Sequence, residues 1–392
     1  MCGCIGRRKF LVLSGISLSS DALEKTIRPR RPQSEWPMDR YDAAGTGYRP
    51  SFDGPKAEPT IRWKHEYDTR LTPAPVTNSG GRVYHVNRDR ITVREAQTGK
   101  KRFAFTGGPY LSSISIADGP AGRNGVAAVA NEDGLLGLDP RGGVSVFGFF
   151  HLFARRWAYP KGLDLFENRV GPAQTSLPPV IAGNRLYFAE TRTDQSLIAL
   201  DTPTGDRKWA IEFQTNLTRP AVSNSRVFVG VWDDGVVAVD SETGERRWHR
   251  STDESDVFGP AVADGVVYVT DERNVYAFDA DEGSTIWRQG FESRVRTPPV
   301  VTTDSVYVAT EEHLVSFERS GNRRWRLAGG CRDAALSAAA ETIYQPMGET
   351  LRAVDASGRV RWSFEADSEI ATPVLGDETV YLSSSRSLYA IE

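Results

Sequence analysis

A chain of 392 residues in which 48 Lys and Arg face 51 Asp and Glu has a formal charge of −3. It lacks the basic excess that phosphate neutralisation along DNA or RNA demands, so nucleic acid is excluded as a partner. With 36 glycines, 22 prolines and three cysteines, the composition suits many short strands joined by tight turns and rules out a disulfide framework.

Residues 1–35 read as an export signal-like segment and linker. Gly6-Arg7-Arg8-Lys9 precedes the short apolar run Phe10–Leu18, a pattern that resembles a twin-arginine export signal and implies an extracytoplasmic protein. Read instead as a basic tail, the same residues leave the chain in the cytoplasm. The run falls short of the ~20 apolar residues that cross a bilayer, and no longer apolar stretch follows. Any membrane association is therefore expected to be peripheral. Cys2-Gly3-Cys4 has no second Cys/His pair at zinc-site spacing, so no metal site is expected.

The segment Thr60–Tyr67 carries Trp63 but lacks the strands that precede such a Trp elsewhere. After it comes a repeat: Pro-x-Val, a β-branched and aromatic run, then Val-x-Ala-x-Asp-x-x-Thr-Gly-x-x-x-Trp. Its clearest copies are Pro220–Trp248 and Pro260–Trp287. The step from acidic residue to aromatic is eight in Glu95–Phe103, Asp139–Phe147, Asp201–Trp209, Asp240–Trp248 and Asp279–Trp287, and seven in Glu318–Trp325 and Asp355–Trp362. Tryptophans 209, 248, 287, 325 and 362 lie 39, 39, 38 and 37 apart, the length of one four-stranded propeller blade.

Each copy reads as four strands. Pro is tolerated at the start of an inner strand, where no ladder hydrogen bond is required of it. The continuous apolar runs, such as Val266–Thr270, read as strands covered on both faces by neighbouring blades. Asp and Gly at the turns supply the positive φ of tight hairpins, and the indole of each outer strand is large enough to cover the seam with the next blade.

Between Phe147 and Pro178 the chain runs about twenty residues longer than the repeat requires. This insertion, placed at 148–170, is the most aromatic stretch of the chain. Phe149, Phe150, Phe153 and Trp157 are candidates for an exposed partner-binding patch, or for packing on the propeller itself.

The last copy ends at Leu388–Glu392 with Glu392 in the place of the repeat Asp, one strand short. Trp63 supplies the missing outer strand. The seam residues then become Trp63, Phe103, Phe147, Trp209, Trp248, Trp287, Trp325 and Trp362. The fold expected for 36–392 is all-β: an eight-bladed β-propeller of four-stranded antiparallel blades, closed by an N-terminal strand that completes the C-terminal blade. Such closure leaves no open sheet edge between first and last blades.

The Ala-x-Asp-x-x-Thr-Gly-x-x-x-Trp repeat resembles the docking motif of the pyrroloquinoline-quinone (PQQ) dehydrogenases and of their non-enzymatic relatives, such as an outer-membrane assembly lipoprotein. Trp36–Pro50 is similar to the segment with which both groups lead into the propeller. For the enzymes the resemblance implies a quinone held under two adjacent cysteines, beside calcium and a base Asp. No adjacent cysteine pair exists here, and no carboxylate matches the calcium or base positions, so no catalytic residue is expected. No cofactor is expected either, PQQ with calcium being the alternative.

Two further groups stand out. The acidic turns Glu132-Asp133, Asp233-Asp234, Asp271-Glu272 and Glu311-Glu312 recur at one point of the blade, where hairpin chemistry explains them and a cation is the sharper reading. Arg70, Arg219, Arg296 and Arg332 precede inner strands and become candidates for the channel mouth, as clamps for an anionic ligand or as partners of the acidic turns. The function expected is a non-catalytic, extracytoplasmic and monomeric scaffold that binds a protein or a small anionic or sugar ligand. The alternative is a PQQ- and calcium-dependent alcohol or sugar dehydrogenase.

Overall fold

The computed structural model describes residues 35–52, 54–117, 125–146, 150–152, 154–160, 175–191, 195–376 and 378–392. The export-like segment, Phe147, Phe149 and Phe153 lie outside these residues. The described chain forms eight four-stranded antiparallel blades arranged as a propeller. Blade 4 shows the plan: Ala221–Ser223, Arg226–Val231, Gly235–Asp240 and Arg246–Arg250 pair in sequence order. Its second and third strands are buried along almost their whole length, because neighbouring blades cover both faces. Its outer strand buries Trp248 and exposes the arginines beside it.

Each third strand ends on an acid that organises the turn. Asp240 Oδ1 accepts from the amides of Glu242 and Thr243, both at 3.0 Å, and Oδ2 accepts from Arg247 at 2.8 Å. These bonds, the one from Arg247 foremost, hold the Asp240 carboxyl far below the usual carboxylate range. The register then slips by one residue beside the Trp, between Ala238 and Val239 here and between Ala277 and Phe278 in blade 5. Such a bulge adds local twist and turns the indole toward the following blade.

There the indole does two things. Its Nε1–H donates to the backbone carbonyl just after the next blade's acid: Trp63 to Ala96 (2.9 Å), Trp209 to Ser241 (3.0 Å), Trp248 to Ala280 (3.0 Å), Trp287 to Arg319 (2.8 Å) and Trp325 to Ala356 (2.8 Å). Its ring lies over the turn glycine. At Gly283 (φ +71°) an added Cβ would come within 2.6 Å of the Trp248 ring, so that glycine serves a close approach as well as a left-handed turn. Phe103, which has no N–H to donate, covers Gly142 in the same way. Trp362 donates to Pro55 at 2.8 Å, since the chain ends divide the turn of blade 8.

One seam residue differs from the expectation. In blade 2, Gly134–Leu138 pairs with Arg155–Tyr159, with Gly137 opposite Trp157. Trp157 donates to the Thr202 carbonyl at 2.9 Å and covers Gly205. It therefore occupies the place read for Phe147, and it is buried in the core instead of lining a partner surface. The physical reason is an additional hairpin, Val144–Val146 with Phe150–Leu152, inserted between the third and outer strands. It postpones the outer strand past the eight-residue step. The extra chain thus begins before the outer strand and not after it.

Blade 8 closes the ring as expected. Ile61–Glu66 pairs antiparallel with Ser387–Ile391, with Trp63 opposite Ala390. Thr60 and Glu392 exchange backbone hydrogen bonds of 2.8 and 3.0 Å at its end.

Candidate functional site at the propeller axis

The inner strands leave amides that no ladder partner satisfies, and the segment before Trp63 takes them up. Carbonyls of Pro37, Ala43, Ala44, Thr46 and Gly47 accept from the amides of Ile116, Val222, Val262, Val301 and Ala338, at 2.7 to 3.0 Å. Trp36 bridges to Asn78, Tyr48–Arg49 lies parallel to Ser337–Ala339, and Arg49 Nη1 donates to the Leu375 carbonyl at 2.6 Å. Residues 36–49 thus hydrogen-bond to the inner strands of seven blades, satisfying edges that would otherwise be open, and Met38 joins the apolar cluster that holds Val180 and Ile181 of blade 3. Gly45 (φ +71°) sits so close that a Cβ there would meet the Pro260 carbonyl at 2.7 Å.

Within this segment Arg40 and Tyr41 both hold left-handed backbone, at φ 60° and 72°, a conformation uncommon for such residues and a mark of functional sites. Arg40 is buried. Its Nη2 donates to the carbonyls of Pro299 and Gly45, while Nη1 is buried with no hydrogen-bond partner. Burial lowers the guanidinium to about 10, with Asp39 opposing the shift and Arg219 adding to it. Arg219, also buried, donates to the carbonyls of Asp39 (2.7 Å) and Asp42 (3.1 Å), and its Nε lies 3.5 Å from the Asp39 carboxylate. Burial raises the Asp42 carboxyl despite its bonds from Thr46.

Above these groups opens a cup of about 250 Å³, walled by Leu217, Trp232, Val257, Phe258 and Pro298 over Asp39, Arg40 and Arg219. It joins a largely apolar wall to a charged floor, the combination expected of a small binding site. Among the described residues, Arg219 is the one of the four predicted arginines that reaches it. Arg296 pairs with Glu311 at 2.7 Å, Arg332 lies with Asp333 in another depression beside Glu311, and Arg70 is exposed. The four do not form one clamp. Arg40, Trp232 and Phe258 escaped the sequence reading. The charged run Asp39-Arg40-Tyr41-Asp42 amid small residues was the available signal.

The acidic turns are engaged individually. Asp271 is buried and accepts from Asn274 and Tyr276; Glu132 pairs with Arg88, Asp234 with His249 and Glu272 with Arg294. Among the described residues no three His, Cys, Asp or Glu side chains are placed to hold a metal ion. Cys331 is buried, donates to the Pro346 carbonyl at 2.8 Å, and is pushed up to about 12 by burial. Among the described residues these donors do not fit the quinone-and-calcium arrangement of the dehydrogenases.

The sequence pattern of the family described as outer membrane protein assembly factor BamB matches residues 156–258 and 254–392. No curated protein matches the chain. Among solved structures, BamB from Moraxella catarrhalis is 16% identical, with a TM-score of 0.65 over 86% of this chain and 98% of that one. The quinohemoprotein alcohol dehydrogenase from Comamonas testosteroni is 12% identical, with a TM-score of 0.69 over 95% and 82%. A computationally designed protein, Ika8, is 14% identical, with a TM-score of 0.67 over 83% and 97%. At these identities the likeness is one of fold.

Proposed function

Since the chain belongs to the family of the outer membrane protein assembly factor BamB, we propose that it is a non-catalytic β-propeller that binds a protein partner outside the cytoplasm. One observation carries this reading. The axis is occupied by the chain's own residues 36–49, leaving a cup whose apolar wall, Trp232 and Phe258 foremost, adjoins Asp39, Arg40 and Arg219. Such a cup suits a side-chain cluster of a protein segment that offers apolar groups together with a carboxylate. The aromatic wall supplies contact area and the guanidinium supplies direction.

Pull-down from an envelope extract by the full chain tests this. Recovery of one partner, lost with Trp232→Ala or Phe258→Ala while the circular dichroism spectrum is unchanged, supports it; recovery unaffected by both variants contradicts it. The dehydrogenase reading draws on the structural likeness to quinoprotein alcohol and methanol dehydrogenases. Adding PQQ and Ca²⁺ and following dye reduction with alcohols or sugars separates the two, because turnover would overturn the scaffold reading.

A further inference from the structure

The eight-fold repeat provides its own internal control, since equivalent positions can be compared between blades. Where blade 3 meets blade 4, Phe213 belongs to one apolar cluster with Val229, Val237 and Val239. Where blade 5 meets blade 6, Phe291 belongs to one with Val308, Val315 and Phe317. Pairing register identifies their counterparts between blades 8 and 1. They are Tyr67, His85, Thr92 and Arg94.

Four positions that are apolar at those seams are polar together here, and they face a pocket of about 420 Å³ between the first and last blades, which His65 and Lys101 also line; the seam between blades 5 and 6 has a pocket of similar size, about 430 Å³, but with Phe291, Val315 and Phe317 in its wall. Inside it Tyr67 stacks on His85 at 4.8 Å, and the phenol oxygen lies 3.2 Å from His85 Nε2 and 3.3 Å from Ser383 Oγ. Arg94 is buried and donates Nη1 to the Gly99 carbonyl at 2.9 Å. Neither Arg94 nor Lys101 has a carboxylate in ion-pair range among the described residues, whereas Arg102 on the adjoining strand pairs with Glu95 at 2.7 Å. Burial, then Arg94, drives His85 down to about 4, and the same two causes in the same order lower His65. Arg90, Asp68 and Asp89 stand exposed at the rim. The inner wall is therefore a positive field with neutral imidazoles and a phenol for company.

We propose that the seam between blades 8 and 1 is a binding site for a phosphate group, free or carried on a small sugar. Arg94 and Lys101 supply the charge, and His65 and Tyr67 supply further hydrogen bonds. A dianion meets two cations that have no carboxylate partner among the described residues, and a tetrahedral oxyanion accepts from donors on several sides at once, which a planar carboxylate does less well. The remaining volume accommodates a ring beside Tyr67 and His85. This site does not depend on the axial cup or on the scaffold reading.

The chain has five histidines, so imidazole ¹H–¹³C spectra of the full chain can be followed during titration with inorganic phosphate, glucose 6-phosphate, or glucose at constant ionic strength. The expected result is saturable shifts confined to His65 and His85 with the two phosphates and not with glucose, and a His65 titration displaced upward in the complex. Tighter binding of glucose 6-phosphate than of phosphate assigns a sugar phosphate; equal binding assigns the free anion. Arg94→Met and the exposed Lys101→Met should each weaken binding at least about tenfold, the scale of a charge-assisted hydrogen bond. Absence of saturable shifts, shifts of all five histidines alike, or binding unchanged in Lys101→Met with its fold intact would overturn the proposal.

Discussion

Between blades 5 and 6, Phe291 lies edge-on to Phe317 with ring centroids 5.9 Å apart. Between blades 8 and 1, the matching pair is a phenol and a guanidinium. Both seams retain the same frame: a bulge before the aromatic, an indole N–H bonded to the following turn, and a glycine beneath the ring. The difference teaches that the frame holds adjacent blades in register whatever fills the space between them. The filling is free to change where the chain ends meet.

If that is so, removing a frame aromatic should cost most, and should cost alike at the seams after blade 2 and after blade 4. Trp157→Ala and Trp248→Ala are each expected to lose about 3–5 kcal/mol of unfolding free energy, the range for a buried Trp truncation, measured by urea denaturation. Little loss at Trp157 would return the seam of blade 2 to Phe147.

Acid should separate the seams next. His85 is held near 4 in the fold against an ordinary 6.5, so between these values the unfolded chain binds the extra proton and the folded chain does not. Its stabilising effect is complete above 6.5 and is lost as pH falls toward 4, by about 3 kcal/mol. His85→Val should flatten the unfolding free energy across that window. An unchanged slope would mean that His85 takes up a proton in the folded protein.

A smaller change follows from filling the polar seam as its neighbours are filled. His85→Val with Thr92→Val should raise stability at pH 7 by about 1 kcal/mol, since buried polar groups of limited pairing give way to apolar contact. Of the same size and opposite sign is Trp63→Phe, expected to cost about 1 kcal/mol for the hydrogen bond to the Ala96 carbonyl. Phe103, which has no such bond, shows that the ring alone can keep the position.

Much of this was legible beforehand because a repeat announces itself eight times. Blade number, the four-strand plan and closure through Trp63 followed from the acid-to-aromatic step and from the incomplete last copy. The step failed where a hairpin intervened, although Arg155-Arg156-Trp157 has the same form as Arg246-Arg247-Trp248 and Arg323-Arg324-Trp325. In the fold Arg156 meets Asp139 at 2.9 Å, as Arg247 meets Asp240 at 2.8 Å. Residues 36–49 repeat nothing, so periodicity could not place Arg40 on the axis or join it to Arg219. The channel arginines were grouped by position before an inner strand, which says nothing of whether a carboxylate such as Glu311 lies closer. The polar seam was visible in the internal alignment as His85, Thr92 and Arg94 where blades 4 and 6 carry Val or Phe, but its partner Tyr67 comes from the opposite end of the ring.

Central to the functional account is that the protein's own N-terminal segment fills its axis. Amide hydrogen exchange at Val222, Val262, Val301 and Ala338 in the full chain tests this most directly, since these amides have carbonyls of residues 43–47 as acceptors and no ladder partner on that side. Protection comparable with that of Val229 and Val269 in the second strands is predicted. Rapid exchange at all four would show an axis open to water, and with it room for the cofactor that the scaffold reading leaves out.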